Sequence, residues 1–154
     1  MAARTAGQVS GVAYAVDTNV IIDVIAGSSE VAKQAADTLS EHGSRAGLII
    51  SPVVYSELYA HPGWGKAEID QFLRSTTIAI DWPMNPEVWE TAGSAFCDYA
   101  QRRKQQRDGL PRRLLADFIV GAHATQVGSL ITSDREFYAT NFPTLPLIGL
   151  SPGV

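Results

Sequence analysis

Cysteine is almost absent: Cys97 stands alone in 154 residues, which excludes an internal disulfide and any zinc site built on cysteine pairs. It is expected to be a small buried apolar residue in a protein suited to a reducing compartment. Histidine is scarce too, and His42, His61 and His123 have no metal-ligand spacing, so all three read as structural or surface residues. No apolar run approaches the roughly 20 residues of a membrane span. The longest nearly apolar stretch, residues 47–55, is broken by Ser51 and Pro52. Residues 1–11 carry one Arg and no apolar segment of signal-peptide length. The expected location is therefore cytoplasmic, with no membrane partner. Trp64, Trp82 and Trp89 lack the spacing of a base-stacking platform and are expected in core or interface packing.

What is present suits one packed domain. Apolar residues make up 45% and charged residues 18%, a globular balance and not a disordered one. Residues 1–10 read as a loose tail and residues 11–154 as a single domain, with no repeat or linker to divide them. The net charge of −4 argues against a nucleic-acid partner held by bulk electrostatics, but the distribution is uneven. Six of the twelve basic residues (Arg102, Arg103, Lys104, Arg107, Arg112 and Arg113) fall within one short segment, with Asp108 as the only acid among them. That segment is either a solvated helix face or a contact for a phosphate backbone.

Short apolar runs at residues 13–16, 47–51, 77–81 and 129–132 read as strands, and residues 147–149 as a possible fifth. Between them, helical patterns fall near residues 20–26, 30–42, 53–58, 66–74, 86–107 and 112–127, with Gly27 and Gly128 as stops and Pro52 in a first turn. Strands that are continuously apolar and alternate with helices imply an α/β fold, with a mostly parallel sheet of four to five strands covered on both faces.

Four acids occupy informative places in this pattern. Asp17 and Asp134 follow strands, Glu57 lies in the helix after the second strand, and Asp117 lies within the helix before the fourth. In open parallel sheets, ligands bind beyond the carboxyl ends of the strands, so the four can converge. Clustered carboxylates raise one another's pKa unless a cation compensates. A set of oxygen ligands without His or Cys selects hard ions such as Mg²⁺ or Mn²⁺, which suit phosphodiester hydrolysis. Taken singly, any of these acids also fits a helix cap or a solvated surface. Thr18 reads as a cap, whereas Asn19 and Ser133 fit either a cap or support of the ion.

In order and spacing, Val16-Asp17-Thr18-Asn19, Ser56-Glu57-Leu58, the stretch from Ala116-Asp117 to His123-Ala124, and Leu130-Ile131-Thr132-Ser133-Asp134-Arg135-Glu136-Phe137 resemble the PIN domain. Within that family they resemble the VapC-type toxins of toxin–antitoxin modules. The resemblance implies a three-layer α/β/α fold and Mg²⁺ or Mn²⁺ held by Asp17, Glu57, Asp117 and Asp134, with Asn19 and Ser133 in helper positions. It further implies endonucleolytic cleavage of RNA, a homodimer, and inhibition by a cognate antitoxin protein. Two departures stand out: a longer N-terminal extension, and His123 where the family more often has a small or apolar residue.

The alternatives are a PIN nuclease of RNA processing without a toxin role and a non-catalytic RNA- or protein-binding module of the same fold. A haloacid-dehalogenase-like phosphatase would need an acid at position 19, where this chain has Asn19. A receiver domain would need an acidic pair beside its phospho-acceptor, and that pattern is missing too.

Overall fold

The computed structural model describes residues 13–106 and 112–150. Twelve elements follow one another among them: β1 (Tyr14–Val16), α1 (Thr18–Ala26), α2 (Ser29–Arg45), β2 (Leu48–Ile50), α3 (Pro52–Leu58), α4 (Lys66–Thr76), β3 (Ile78–Ile80), α5 (Pro86–Gln106), α6 (Leu115–Val127), β4 (Leu130–Ile131), α7 (Arg135–Asn141) and β5 (Leu147–Ile148). The five strands form one sheet in the order β3-β2-β1-β4-β5, and every pairing is parallel.

Successive strand residues point to opposite faces, so burial of neighbours reports cover on both sides. Ala15 and Val16 in β1 are 2% and 1% exposed, and Leu130 and Ile131 in β4 are fully buried. Helices therefore cover both faces of the sheet, as the apolar runs predict, and one apolar cluster runs through the sheet and the helices around it. The expected mostly parallel sheet is wholly parallel and has five strands.

Local chemistry sets the helix ends. Ser51 accepts from the Val54 amide as N-cap of α3, whose first residue is Pro52, where a missing amide hydrogen does no harm. Gly128, with φ of 123°, terminates α6 just before β4. At Gly121 a methyl group would lie 2.3 Å from the buried Phe142 ring, so only glycine lets α6 lie this close to that ring.

Several sequence expectations need correction. Helix α6 begins at Leu115, not near Arg112, with Leu114 extended at its N-cap, so Asp117 sits in the first turn and not in the helix interior. Cys97 is exposed on α5 and not buried. Of the tryptophans expected in core or interface packing, Trp64 packs against the core, whereas Trp82 and Trp89 are 60% and 52% exposed, so that only the interface half of the expectation applies to them. Arg107 and residues 1–10 lie outside the described residues.

Candidate active site

The strand order places β1 at the centre, with β2 on one side and β4 on the other. The chain reverses its direction of travel across the sheet between β1 and β4, which opens a crevice beyond their carboxyl ends. Asp17 follows β1, and Asp134 follows β4 after the two residues Thr132 and Ser133. The Asp17 amide donates to Ile131 O at 3.0 Å, which fixes the two strand ends against each other.

Asp17 is the N-cap of α1 and is buried at 7% exposure. Its Oδ1 accepts from the Thr18 amide at 2.8 Å and its Oδ2 from the Thr132 hydroxyl at 2.8 Å. The hydroxyl of Tyr138, fully buried in α7, is close enough to Asp17 to favour its charged form. Burial outweighs these groups. Removal from water raises the Asp17 pKa, the Thr132, Tyr138 and Thr18 groups oppose the rise, and Glu57 adds repulsion, so the carboxyl is pushed up to about 6. The Tyr138 hydroxyl is raised in turn, by burial first and then by the negative charge of Asp17 and Asp117.

Glu57 is half-buried in α3, and its Oε1 accepts from the Thr18 hydroxyl at 2.8 Å. Its pKa is raised by burial, opposed by Thr18, and raised further by Asp117. Thr18 is thus not the cap; Asp17 caps α1, while the Thr18 side chain joins α1 to α3. Asp117 is raised by burial, with Arg113 and the Leu114 amide opposing and Asp134 adding repulsion. Its place in the first turn of α6 favours a negative charge through the helix dipole. Asp134, part-exposed, pairs with Arg113 through Nη1 to Oδ2 at 2.8 Å.

The four predicted acids therefore lie in one electrostatic neighbourhood: Asp17 feels Glu57, Glu57 feels Asp117, and Asp117 feels Asp134. Yet among the described residues no three acids close around a single point as a chelate would. Asp17 is held by the Thr18 amide and the Thr132 hydroxyl, Glu57 by the Thr18 hydroxyl, and Asp134 by Arg113. The donor set itself is all oxygen, from four carboxylates with the Thr18 and Thr132 hydroxyls close by, and this chemistry fits a hard divalent ion.

Asn19 and Ser133 stand at the rim. The Ser133 amide donates to Asn19 Oδ1 at 3.3 Å, the Asn19 amide group reaches the Thr132 hydroxyl at 3.5 Å, and Ser133 Oγ donates to Asp23 Oδ2 at 3.4 Å. Both residues brace the loop after β4, and neither donates to any of the four acids. Of the basic segment, Arg102, Arg103, Arg112 and Arg113 line a groove of about 760 Å³ whose wall includes Asp117, whereas Lys104 is exposed outside it. Two structural features were not foreseen. Tyr138 gives no sign in the sequence beyond an aromatic near Asp134. His123, read only as structural or surface, is 2% exposed and binds Asp81 Oδ2 through Nε2 at 2.9 Å, which ties α6 to the end of β3.

Fold and site define a class, a doubly wound parallel α/β domain with an acidic crevice at its switch point. The sequence profile of the PIN domain matches residues 14–143, and the chain belongs to that family. The fold is similar to that in the structure of VapBC2 from Rickettsia felis bound to a DNA fragment from their promoter, with a TM-score of 0.63 and 18% identity over 90% of this chain and 99% of that one. It is similar also to VapBC-1 from nontypeable Haemophilus influenzae, with a TM-score of 0.60 and 19% identity over 89% and 97% of the two chains. FitAB bound to an IR36 DNA fragment gives 0.54 and 17% identity, over 88% and 94%. At these identities the likeness is one of fold. Comparison with curated proteins gives no match. Among the described residues, no helix is long and apolar enough to cross a membrane.

Proposed function

We propose that this chain is a divalent-metal-dependent endoribonuclease, the toxin of a toxin–antitoxin pair, with Asp17, Glu57, Asp117 and Asp134 as its metal-site acids. The observation that carries this reading is the electrostatic contact that links four carboxylates at the switch point, one of which, Asp117, stands in the wall of a groove lined by four arginines. A polyanion held along that groove has its backbone beside the acids, and arginine forks suit phosphate oxygens. The partner half of the proposal, a cognate antitoxin, is supported by the VapBC complexes among the structural neighbours. Exposed Tyr59, Trp82, Trp89, Leu114 and Leu115 offer apolar surface to an antitoxin or to a second copy in a homodimer. Exposed Cys97 suits a reducing cytoplasm.

Asp17, Asp117 and Asp134 would hold Mg²⁺ or Mn²⁺, with Glu57 at its edge. When bound, such an ion supplies charge to neutralise a phosphate oxygen and lowers the pKa of water. The residues of the chain divide the remaining work. Thr132 and Tyr138 orient Asp17, Thr18 fixes one oxygen of Glu57, and the second Glu57 oxygen is left to orient a water against the phosphorus and accept its proton. The groove arginines hold the strand in register for in-line displacement.

The test incubates the purified protein and its Asp17→Asn variant with total RNA in Mg²⁺, Mn²⁺ or EDTA. Discrete fragments from wild type only, and only with a divalent ion, are expected. Equal fragmentation in EDTA, or by Asp17→Asn, would overturn the proposal, and no cleavage at all would favour a binding module.

A further inference from the structure

Arg113 holds an unusual position for a residue of a substrate groove. Its Nη1 donates to Asp134 Oδ2 at 2.8 Å, and its guanidinium carbon stands 4.6 Å from the centre of the Phe137 ring. Its backbone amide donates to the Tyr99 hydroxyl at 2.7 Å, so the main chain is anchored to α5. Its charge also reaches Asp117, the neighbouring acid. One cation therefore serves two of the four acids from a fixed base, while its side chain is 40% exposed and already lines the groove. The geometry is that of a stand-in. A guanidinium occupies a carboxylate oxygen that an incoming ion needs, in a pair exposed enough to be given up at small cost.

We propose that Arg113 is a built-in counter-cation of the acidic site, neutralising Asp134 and Asp117 when no divalent ion is bound and competing with that ion for Asp134. This rests on the reading of the four acids as a metal site. Such competition lowers metal affinity, limits repulsion among the acids in the metal-free protein, and couples metal entry to release of an arginine at the mouth of the groove that holds Arg102, Arg103 and Arg112. Arg113 is in this sense a positioning residue that sets how readily the site fills.

Calorimetric titration of Mn²⁺ into the full-length, metal-free protein tests the idea without any activity measurement. An exposed pair of this kind is worth a fold-change of about two to five, so Arg113→Gln is expected to bind Mn²⁺ about two- to five-fold more tightly than wild type. Arg112→Gln removes the same charge from the same groove but breaks no ion pair among the described residues, and is expected to change affinity less. Arg113→Lys keeps a charge at the position and is expected to fall between wild type and Arg113→Gln. A gain in Arg113→Gln no larger than in Arg112→Gln, or an equal gain in Arg113→Lys, overturns the proposal while leaving the metal site standing. Absence of Mn²⁺ binding by wild type overturns the metal site itself.

Discussion

Replacing Asp17 with Asn is expected to make the metal-free protein more stable at neutral pH. The wild-type carboxyl is raised from 3.8 to about 6 in the folded protein. A folded pKa above the unfolded one means that ionised Asp17 opposes folding. The cost is absent below about pH 4, where the group is protonated in both states, grows between there and about pH 6, and is fully present above. Two pH units correspond to about 3 kcal/mol at neutral pH. Asparagine removes that cost but serves the donors less well. The Thr18 amide can keep its acceptor, whereas the Thr132 hydroxyl loses the carboxylate oxygen it donates to, an offset of about 1–2 kcal/mol. The net gain is about 1–2 kcal/mol, or roughly 2–8 °C in melting temperature for a chain of this size. Thermal melts in EDTA at pH 7.5 and pH 4 measure it. The gain should shrink or vanish at pH 4. Added Mg²⁺ should reverse the order by stabilising wild type alone, by about 2.7 kcal/mol at a hundred times its Kd. A variant that melts several degrees below wild type at pH 7.5, or a gain that persists unchanged at pH 4, would refute the reasoning.

Tyr138→Phe should remove a hydroxyl that favours the charged form of buried Asp17, lowering stability at neutral pH by about 1–3 kcal/mol and weakening Mn²⁺ binding, which parallel melts and titrations would record. Gly121→Ala gains up to about 1 kcal/mol of helix propensity but meets the Phe142 ring at 2.3 Å, and overpacking of about 1–3 kcal/mol should win; chemical denaturation would show the loss. His123 carries the opposite pH sign to Asp17. Burial lowers its pKa and the Asp81 contact only partly restores it, so the folded protein loses stability as pH falls below the ordinary value of 6.5. His123→Gln should therefore be less stable than wild type at pH 7.5, with the gap narrowing towards pH 5 in denaturant titrations.

The sheet was readable in the sequence because strands buried on both faces must be apolar throughout, and residues 14–16, 48–50, 78–80 and 130–131 are. The nearness of the four acids followed from topology, since Asp17 and Asp134 lie beyond the ends of neighbouring parallel strands, but three of the four also sit at helix starts, where an acid has an ordinary structural place. Their donors were not readable. Thr132 and Asp17 lie 115 positions apart, and Thr18 and Glu57 lie 39 apart, so no local pattern couples them. Thr18 beside Asp17 looks like a cap until the fold gives that part to Asp17 and brings Glu57 within reach. The true start of α6 was hidden because Arg112 and Arg113 are good helix formers, and the extended Leu114 cap has no signature of its own. Cys97 shows the limit of residue preference. It falls on the outer face of α5, and its small size says nothing about which way the helix turns.

The Thr132 hydroxyl donates to Asp17 and accepts from the Asp134 amide at 3.0 Å, so a single oxygen joins the two ends of the crevice. Asp17 leaves the ribosome early and must wait for more than a hundred further residues before that oxygen exists. At about 5–20 residues per second, the interval lasts roughly 6 to 23 seconds. Throughout it, the nascent chain carries an acid with neither its hydroxyl donor nor its fourth carboxylate. Truncation anywhere before β4 leaves a fragment without an assembled site. The oxygen that ties the two strand ends together is thus made late, and the crevice is completed only when β4 takes its place beside β1.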